Sequence, residues 1–256
     1  MEKNTSSSSK GGLSLFPKIR ENLSQIPVKI AVMSGKGGVG KTTVCAWLAL
    51  SLKKLGFKVA VFDADFTGPN IAYAIKEKVV SLKAKAVGTE DNYTIIPPEV
   101  DGIKVVSSSM ILDEGKALIW RGPLKFKLFQ ELLAFSDLRD VDILLIDLPP
   151  GTGDESLNLA QMIPDAKVII VYQPATLAVE DVKRSMDFAK TLNLEILAIV
   201  ENFSYAVCPK CGEKFDIFDG AKLKVEPDLK LPILKEKAFE ELFDFVQKKV
   251  IPRLKK

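Results

Sequence analysis

The chain has 256 residues, 47% of them hydrophobic, which is enough to bury a sizeable core in one large domain. A net charge of +3 is too small to indicate a nucleic-acid partner or a strongly anionic surface, so we expect no nucleic acid among its partners. The sequence contains no histidine, which excludes histidine-based metal sites, Ser-His-Asp triads and imidazole general bases, but leaves phosphoryl transfer open.

The N-terminal end of the chain is predicted to be a tail. Residues 1–12 are polar and low in complexity, and we expect residues 1–25 as a whole to be disordered or flexible. Apolar positions scattered through residues 13–26 suggest a short helix that leads into the domain, and residues 26–256 are predicted to form that single domain. Because this end lacks the apolar stretch of a signal peptide and the chain has three cysteines, we expect a cytoplasmic protein.

The most informative motif is the stretch Gly35-Lys-Gly-Gly-Val-Gly-Lys-Thr42, which satisfies the phosphate-binding loop pattern G-x-x-x-x-G-K-[ST]. Its glycines let the backbone fold around a phosphate, and its N–H groups form an anion cradle with the helix that follows. An apolar run of strand length, residues 28–33, precedes the loop, and apolar residues at helical spacing follow it. This context favours a nucleotide site over the alternative, a glycine-rich turn without a ligand.

Two lysines of this loop are predicted to act in catalysis. Lys41 would reach the β- and γ-phosphates of the nucleotide, and the Thr42 hydroxyl would ligate Mg²⁺. Lys36 makes the loop resemble the deviant P-loop, K-G-G-x-G-K-[ST], of the MinD/ParA/nitrogenase-iron-protein class, which implies that Lys36 reaches across a dimer to the partner's nucleotide; the alternative is a solvated loop lysine. The predicted nucleotide-binding residues of the loop are Gly35, Lys36, Gly37, Gly38, Val39, Gly40, Lys41, Thr42 and Thr43.

Two carboxylates follow the next apolar strand. Residues 58–63 are predicted to be a strand that ends in Asp63, and Asp65 follows at a spacing that puts both side chains on one strand face. At the C-terminal end of a parallel strand they would point into the crevice where ligands bind. We predict that Asp63 and Asp65 divide Mg²⁺ coordination and positioning of the attacking water between them, with Asp63 included among the metal ligands. The alternative is an Asp-rich turn.

A third acidic residue, Asp147, ends the apolar run 141–147 and is followed by Pro-Pro-Gly-Thr-Gly. An apolar strand that ends in Asp is the second acidic motif of P-loop proteins, which holds Mg²⁺ directly or through water. The predicted Mg²⁺ residues are therefore Thr42, Asp63 and Asp147. The glycines after Asp147 suit a loop that changes shape with the γ-phosphate, whereas the alternative is that Pro-Pro-Gly simply ends a strand.

The remaining chain alternates apolar strands with helical patterns. This order predicts an α/β fold class, a doubly wound and mostly parallel sheet with helices on both faces. Beyond the P-loop, the predicted strands are 58–63, 103–107, 141–147, 167–172 and 195–201, and the predicted helices are 69–77, 123–136, 155–162, 176–191 and 235–254. The last helix is amphipathic, which is more typical of core packing than of a membrane surface, and we expect no stable membrane association.

The sequence Cys208-Pro-Lys-Cys211-Gly212 forms a C-x-x-C pair, for which several interpretations stay open. A thioredoxin-type redox pair would open a helix, and the residues that follow do not look helical. A closed zinc or iron–sulfur site needs four ligands, whereas this chain offers two clustered thiols because Cys45 lies in the predicted helix after the P-loop. Two chains related by a twofold axis would supply four ligands. Otherwise the two cysteines are inert.

Taken in order, these motifs resemble those of the Mrp/ApbC/Nbp-type iron–sulfur cluster carrier ATPases, over roughly residues 28–220. The matching motifs are the deviant P-loop, Asp63-x-Asp65-x-x-Gly68-Pro69-Asn70, Trp120-Arg121-Gly122-Pro123, the strand end from Ile146-Asp147 to Asp154, and Glu201-Asn202-Phe-Ser204-Tyr with Cys208-Pro-x-Cys211.

The resemblance implies a homodimer that binds ATP and Mg²⁺, hydrolyses ATP slowly and delivers clusters to apo iron–sulfur proteins. It implies that Cys208 and Cys211 bind a [4Fe–4S] cluster bridged between two subunits. It also implies that Asn202 contacts the adenine, where the alternative is a strand-end cap. The N-terminus lacks the extra cysteine cluster of the eukaryotic Nbp branch, so a second cluster is not expected.

Two other functions stay open at this stage. The first is a MinD/ParA-like positioning ATPase that acts on membrane or DNA, because such proteins share the same P-loop. The second makes the cysteine pair a structural zinc clip that fastens a dimer.

Overall fold

The protein is an α/β structure with a mostly parallel central sheet and helices on both of its faces, as predicted. The computed structural model describes residues 15–66, 68–78, 82–89, 92–110, 122–175, 178–218 and 226–254. The predicted strands and helices are present to within two residues at their ends, except that the strand predicted at 195–201 continues to Val207. Residues 176–177 of the predicted helix 176–191 lie outside the described residues.

The strands, in chain order, are β1 (Val28–Met33), β2 (Val59–Asp63), β3 (Lys85–Thr89), β4 (Asn92–Ile96), β5 (Glu99–Val100), β6 (Ile103–Ser107), β7 (Ile143–Asp147), β8 (Lys167–Tyr172), β9 (Ile196–Val207), β10 (Lys214–Asp216) and β11 (Leu229–Pro232). The α-helices are α1 (Phe16–Ser24), α2 (Lys41–Lys54), α3 (Ile71–Ile75), α4 (Gly122–Phe135), α5 (Asp154–Met162), α6 (Ala178–Thr191), α7 (Lys235–Phe245) and α8 (Ile251–Leu254).

In the described part of the chain, nine strands form one sheet in the order β10-β9-β8-β1-β7-β2-β6-β5, with β11 paired to β9 off this path. The pairs from β6 through to β9, and the β9–β11 pair, are parallel, whereas β5 and β10 are antiparallel additions at the two ends. Strands β3 and β4 form a separate hairpin. The carboxyl ends of β1, β2, β7, β8 and β9 therefore meet at one edge of the sheet.

The central strands are apolar at almost every position because both of their faces are covered. In β1, Ile30 and Val32 pack into the core on one side of the sheet, and Ala31 and Met33 pack into the core on the other. This arrangement explains why the sequence shows continuous apolar runs rather than alternation. Helices α2, α3 and α7 cover the first side, and α1, α4, α5 and α6 cover the second.

The described part of the predicted tail is packed rather than loose. Helix α1 buries Ile19 and Leu23 in the core, and the Asn22 amide donates hydrogen bonds to the carbonyls of Leu133 (2.8 Å) and Ser136 (2.9 Å) at the end of α4. The boundary predicted at residue 25 therefore falls too late, because apolar residues at helical spacing in this segment are used to cover the sheet. The short helix predicted in this region is confirmed.

The amphipathic C-terminal segment packs its apolar side inside the protein. Helix α7 continues through a π-helical turn, Val246–Val250, into α8. Leu242, Val246 and Val250 are buried in the core against α2. This apolar face is consequently not available to a membrane surface. Within the described residues, no helix is long and apolar enough to span a bilayer.

Candidate functional site

The candidate site lies at the sheet edge where the parallel strands end, which is where ligands bind in open α/β sheets. Strand β7 lies between β1 and β2, and its last residue, Asp147, is in register with Val32 of β1 and Asp63 of β2. The loop from Ser34 to Gly40 leaves β1 and enters α2 at the same edge. The predicted phosphate loop and the two predicted acidic strand ends are therefore neighbours.

Two glycines of the loop are required by the packing around them. Gly40 caps α2 with a φ of 82°, and a Cβ at this position would lie 2.3 Å from Nδ2 of Asn202. A Cβ on Gly35 would lie 2.5 Å from the carbonyl oxygen of Asp181 in α6. Larger residues would therefore force β9 or α6 away from the loop.

Polar contacts hold the start of the loop in place. The Ser34 hydroxyl donates to the Lys36 carbonyl (2.8 Å), and the Gly151 N–H donates to the Ser34 carbonyl (2.9 Å). The second contact ties the P-loop to the glycine-rich loop that follows Asp147. These two loops thus form one surface, which suits a ligand that touches both.

Asp147 contacts both Lys41 and Thr42 at the start of α2. The Lys41 ammonium forms a buried ion pair with Asp147 Oδ1, and the Thr42 hydroxyl donates to Asp147 Oδ2 at 2.7 Å. Burial raises the pKa of Asp147, and the Lys41 ammonium opposes that shift. The site therefore holds a cation and oxygen donors of the kind that Mg²⁺ prefers, next to a loop built for phosphate.

Asp63 and Asp65 are not on one strand face, which corrects the geometry expected from their spacing. Strand β2 ends at Asp63, and Asp65 lies in the loop beyond it. The Asp63 carboxylate accepts the backbone N–H groups of Asp65 (3.1 Å) and Ile71 (3.3 Å). Asp63 therefore organises the loop that carries Asp65 while standing beside Asp147 in the sheet.

The ionisation of Asp63 leads to a prediction about stability. Burial, together with the neighbouring Asp147, raises the pKa of Asp63 from 3.8 to about 7. Between these values the folded state holds a proton that the unfolded state has lost, so this stabilisation is complete below the lower pKa and lost as the pH rises through the upper one. Without Mg²⁺ and nucleotide, we expect the free energy of unfolding to fall between about pH 4 and about pH 7.

In Asp63→Asn this fall should become shallower when it is measured by urea denaturation at each pH. Asp137→Asn is the matched control, because Arg139 lowers the pKa of Asp137 to about 2, outside the tested window. If the stability of Asp63→Asn falls with pH as steeply as that of the wild type, the raised pKa of Asp63 is not the cause of the fall.

Lys36 lies in the loop with its side chain about one third exposed (34%) and its ammonium 3.9 Å from Oδ2 of Asp181. Sequence analysis did not single out Asp181, because an acidic residue in the first turn of a helix is ordinary there. This ion pair holds Lys36 loosely at the surface of its own chain.

Asn202 lies against the P-loop, directly after the part of β9 that pairs with β8. Its Nδ2 donates to the Val39 carbonyl at 3.0 Å, and the residue is 1% exposed. Its Oδ1 is buried without a hydrogen-bond partner in the described structure. A buried acceptor of this kind is costly unless a donor reaches it, which makes Asn202 a candidate for ligand contact.

The cysteine pair lies at the tip of a hairpin formed by β9 and β10, so the prediction that no helix follows it is confirmed. The Cys208 N–H donates to the Glu213 carbonyl, and the Gly212 N–H donates to the Cys208 carbonyl, both at 2.9 Å. Asn202 lies in β9 and Cys208 directly follows its end, six residues later, a span of at most about 20 Å. The hairpin therefore projects beyond the same sheet edge that carries the P-loop.

The two thiols of this hairpin differ from the third cysteine of the chain. Backbone N–H groups of Cys211 and Lys210 donate to the Cys208 sulfur and lower the pKa of its thiol. Cys208 is partly exposed and Cys211 exposed, whereas Cys45 is fully buried in α2, where burial raises its pKa well above the usual value. The hairpin thus offers two accessible sulfurs, and the Cys208 thiol ionises more readily than an ordinary one to the thiolate, which is the form that binds metal.

Other predicted features cannot be placed in the same way. Trp120 and Arg121 of the Trp-Arg-Gly-Pro motif lie outside the described residues. Among the described residues, no group of three or more Cys, Asp or Glu side chains is arranged to hold a metal ion.

Sequence analysis also did not anticipate a polar network beside Asn202. Glu201 is buried and accepts hydrogen bonds from the hydroxyls of Tyr172 and Ser204. Phe203, which lies between Glu201 and Ser204 in the sequence, has a left-handed backbone with a φ of 56°. Such a conformation costs about 1–2 kcal/mol in a residue with a side chain, and no sequence pattern signals it at an aromatic residue.

Comparison with known proteins gives a consistent result. A sequence model of the family described as NUBPL iron-transfer P-loop NTPase matches residues 25–246. The iron-sulfur cluster carrier protein of Pyrococcus horikoshii is 40% identical over 213 residues, which are 80% of this chain and 71% of the relative. The protein of the same name from Methanocaldococcus jannaschii is 45% identical over 203 residues, 78% of this chain and 68% of the relative.

Solved structures give the same fold. The nucleotide-binding protein of Archaeoglobus fulgidus in complex with ADP matches with a TM-score of 0.70 and 34% identity over 90% of both chains. The septum site-determining protein MinD of Pyrococcus horikoshii, complexed with Mg-ADP, matches with a TM-score of 0.54 and 21% identity over 86% of this chain and 96% of that one, which shows the shared fold alone. The chain therefore belongs to the family of iron-transfer P-loop NTPases of the NUBPL type.

Proposed function

We propose that this protein is an ATP-binding and slowly ATP-hydrolysing carrier that holds an iron–sulfur cluster between two copies of the chain and passes it to apo iron–sulfur proteins. The observation that carries this proposal is the joint placement of a phosphate loop and an exposed pair of cysteines at one sheet edge. Membership of a family whose relatives are named iron-sulfur cluster carrier proteins supports it.

The residues around the P-loop fit a nucleotide with Mg²⁺. Thr42, Asp63 and Asp147 would hold the metal, directly or through water, and Mg²⁺ would supply charge neutralisation at the phosphates. The loop N–H groups and Lys41 would bind the phosphate oxygens. Positioned charge of this kind provides most of the catalysis in phosphoryl transfer, which explains how a chain without histidine can hydrolyse ATP.

Asn202 supports adenine as the base. Its buried Oδ1 lacks a hydrogen-bond donor in the described structure, and an exocyclic amino group would supply one. A guanine places a carbonyl at the corresponding ring position, which would set two acceptors against each other. The proposed nucleotide is therefore ATP rather than GTP.

The cysteine hairpin supports a cluster shared between two chains. A four-iron cluster takes four thiolates, and the hairpin supplies two, since Cys45 is buried in the core. A homodimer that pairs the two hairpins would complete the ligand set. The cluster is the cargo in this proposal, so its site must be open to a recipient, and both hairpin thiols are solvent-accessible.

The proposal is tested by anaerobic reconstitution with iron and sulfide, followed by absorption spectra and metal analysis. We expect iron and sulfide at one four-iron cluster per two chains and transfer of that cluster to an apo acceptor. A stable stoichiometric zinc content with no iron uptake would instead identify a structural zinc clip, and would overturn the carrier proposal.

Lys36→Ala is expected to spare folding and ATP binding but to reduce ATP hydrolysis about tenfold or more, because this lysine would act on the nucleotide of the partner.

A mixing experiment makes the test specific. A Lys36→Ala chain keeps its own Lys41, and a Lys41→Ala chain can offer it Lys36. Equal mixtures of the two inactive variants should regain up to about a quarter of wild-type hydrolysis, since half the dimers would hold one complete site. Unchanged hydrolysis in Lys36→Ala, or no recovery on mixing, would contradict action across the dimer.

A further inference from the structure

The longest strand of the sheet, β9, connects the P-loop to the cysteine hairpin, and its backbone is irregular between the two, where Phe203 has a positive φ and the register with β11 shifts. Residues Glu201–Ser204, named here the β9 bend, separate the part of β9 that pairs with β8 from the part that pairs with β10. We propose that the β9 bend transmits the state of the nucleotide loop to Cys208 and Cys211, with Ser204 and Glu201 as its positioning residues. This inference rests on the proposed function.

The bend touches the P-loop directly. The Asn202 amide donates to the Val39 carbonyl at 3.0 Å, and the tip of the Phe203 ring lies 3.5 Å from where a Cβ on Gly40 would be. The same loop supplies the N–H groups that bind phosphate. A ligand that shifts Val39 or Gly40 must therefore shift Asn202 and Phe203, or break their contacts.

Hydrogen bonds across the bend hold it in its left-handed conformation. Ser204 and Glu201 are three residues apart, and the Ser204 hydroxyl donates to the Glu201 carboxylate over the backbone of Phe203. The Tyr172 hydroxyl fixes the same carboxylate to β8. A non-glycine residue with positive φ persists where its surroundings over-determine it, and such sites are common in switching segments.

Beyond the bend, Tyr205 is hydrogen-bonded both to the hairpin and to the body of the domain. Tyr205 pairs with β10, its carbonyl accepts the Ile233 N–H (3.0 Å), and its hydroxyl donates to Glu241 of α7 (2.6 Å). Cys208 follows three residues later in the same hairpin. A rotation at Phe203 would consequently move the paired strands of the hairpin together, would strain the bonds that tie Tyr205 to Ile233 and Glu241, and would change how the two thiols are presented.

The test measures thiol reactivity in the full chain without a cluster. Cys208 and Cys211 are alkylated with iodoacetamide, and the rate is read by mass spectrometry with and without Mg²⁺ and a non-hydrolysable ATP analogue. In the wild type we expect the nucleotide to change the rate at least about fivefold, the lower end of ordinary coupling between sites. The ratio of the alkylation rates with and without nucleotide should come close to one in Ser204→Ala, while the affinity for the analogue stays near the wild-type value.

Three further variants separate positioning from simple loss of structure. Ser204→Thr keeps the hydroxyl and should restore the ratio. Glu201→Met keeps a side chain of similar length that bonds neither hydroxyl, and serves if Ser204→Ala does not fold; it should also lose the nucleotide-dependent ratio. Tyr205→Phe removes a comparable hydroxyl–carboxylate bond on the same strand outside the bend, and should keep the wild-type ratio of alkylation rates. Cys45, which is fully buried, reports any unfolding through its own alkylation.

A wild-type ratio near one, a full ratio in both Ser204→Ala and Glu201→Met, or equal loss in Tyr205→Phe would overturn the inference. Failure of the proposed function has a different signature. In that case the wild type takes up no iron on reconstitution, while the alkylation ratio and its dependence on Ser204 remain.

Discussion

Replacing Lys41 with alanine is expected to lower the affinity for ATP on the order of a hundredfold or more, the largest effect of any single change in the nucleotide site. Lys41 is the buried cation of the P-loop, and its charged hydrogen bonds to phosphate would be of the strong class. The change also removes the buried partner of Asp147, so a carboxylate without its counter-charge would face the incoming phosphates. Both consequences oppose binding.

The measurement is titration calorimetry with ATP and Mg²⁺, accompanied by thermal unfolding to confirm the fold. Lys53→Ala is the matched control, because Lys53 lies in the same helix and pairs with Asp101 at 2.9 Å, but at the end remote from the loop. It should bind ATP like the wild type. If the loss of the buried ion pair unfolds Lys41→Ala, Lys41→Met keeps the volume of the side chain. A folded Lys41 variant with wild-type affinity would disprove the phosphate role.

The nucleotide loop and the sheet were predictable because their signals are local. The P-loop pattern occupies eight consecutive positions. Its glycines are needed because the backbone must fold closely around a phosphate, which Cβ atoms would prevent. Strands such as Val168–Tyr172 are apolar throughout because both faces of the sheet are covered, which is itself the signature of a parallel α/β sheet. Asp63 and Asp147 followed from the same logic, as polar residues that end such strands.

What the sequence did not reveal depends on packing between distant segments. The spacing of Asp63 and Asp65 suggested one strand face, but β2 stops at Asp63, whose carboxylate accepts N–H groups of the next loop. The contact of Gly35 with Asp181 joins residues far apart in sequence, and neither residue type is unusual where it occurs. Phe203 is the clearest case. Aromatic residues disfavour positive φ, and only the surrounding contacts impose it.

Replacing either hairpin cysteine should eliminate cluster binding, which is the second large effect we expect. In a dimer that shares one four-iron cluster, Cys208→Ser or Cys211→Ser removes two of the four thiolates at once. Iron and sulfide content after anaerobic reconstitution should fall to background in both variants. Cys45→Ala is the control, because its thiol is buried in α2 and a smaller apolar residue there leaves the hairpin untouched.

The same variants test whether cluster binding and dimerisation are linked. The cluster would itself be a bond between subunits, so light scattering should show a dimer for reconstituted wild type and for Cys45→Ala, and loosening of that dimer on chelation or oxidation. ATP affinity should be close to the wild-type value in all three cysteine variants, since the proposed nucleotide site lies at the ends of β1, β2 and β7 and at Asn202 in the middle of β9. A monomer that carries a full cluster, or a Cys208→Ser chain that still holds one, would show that the ligands do not come from paired hairpins.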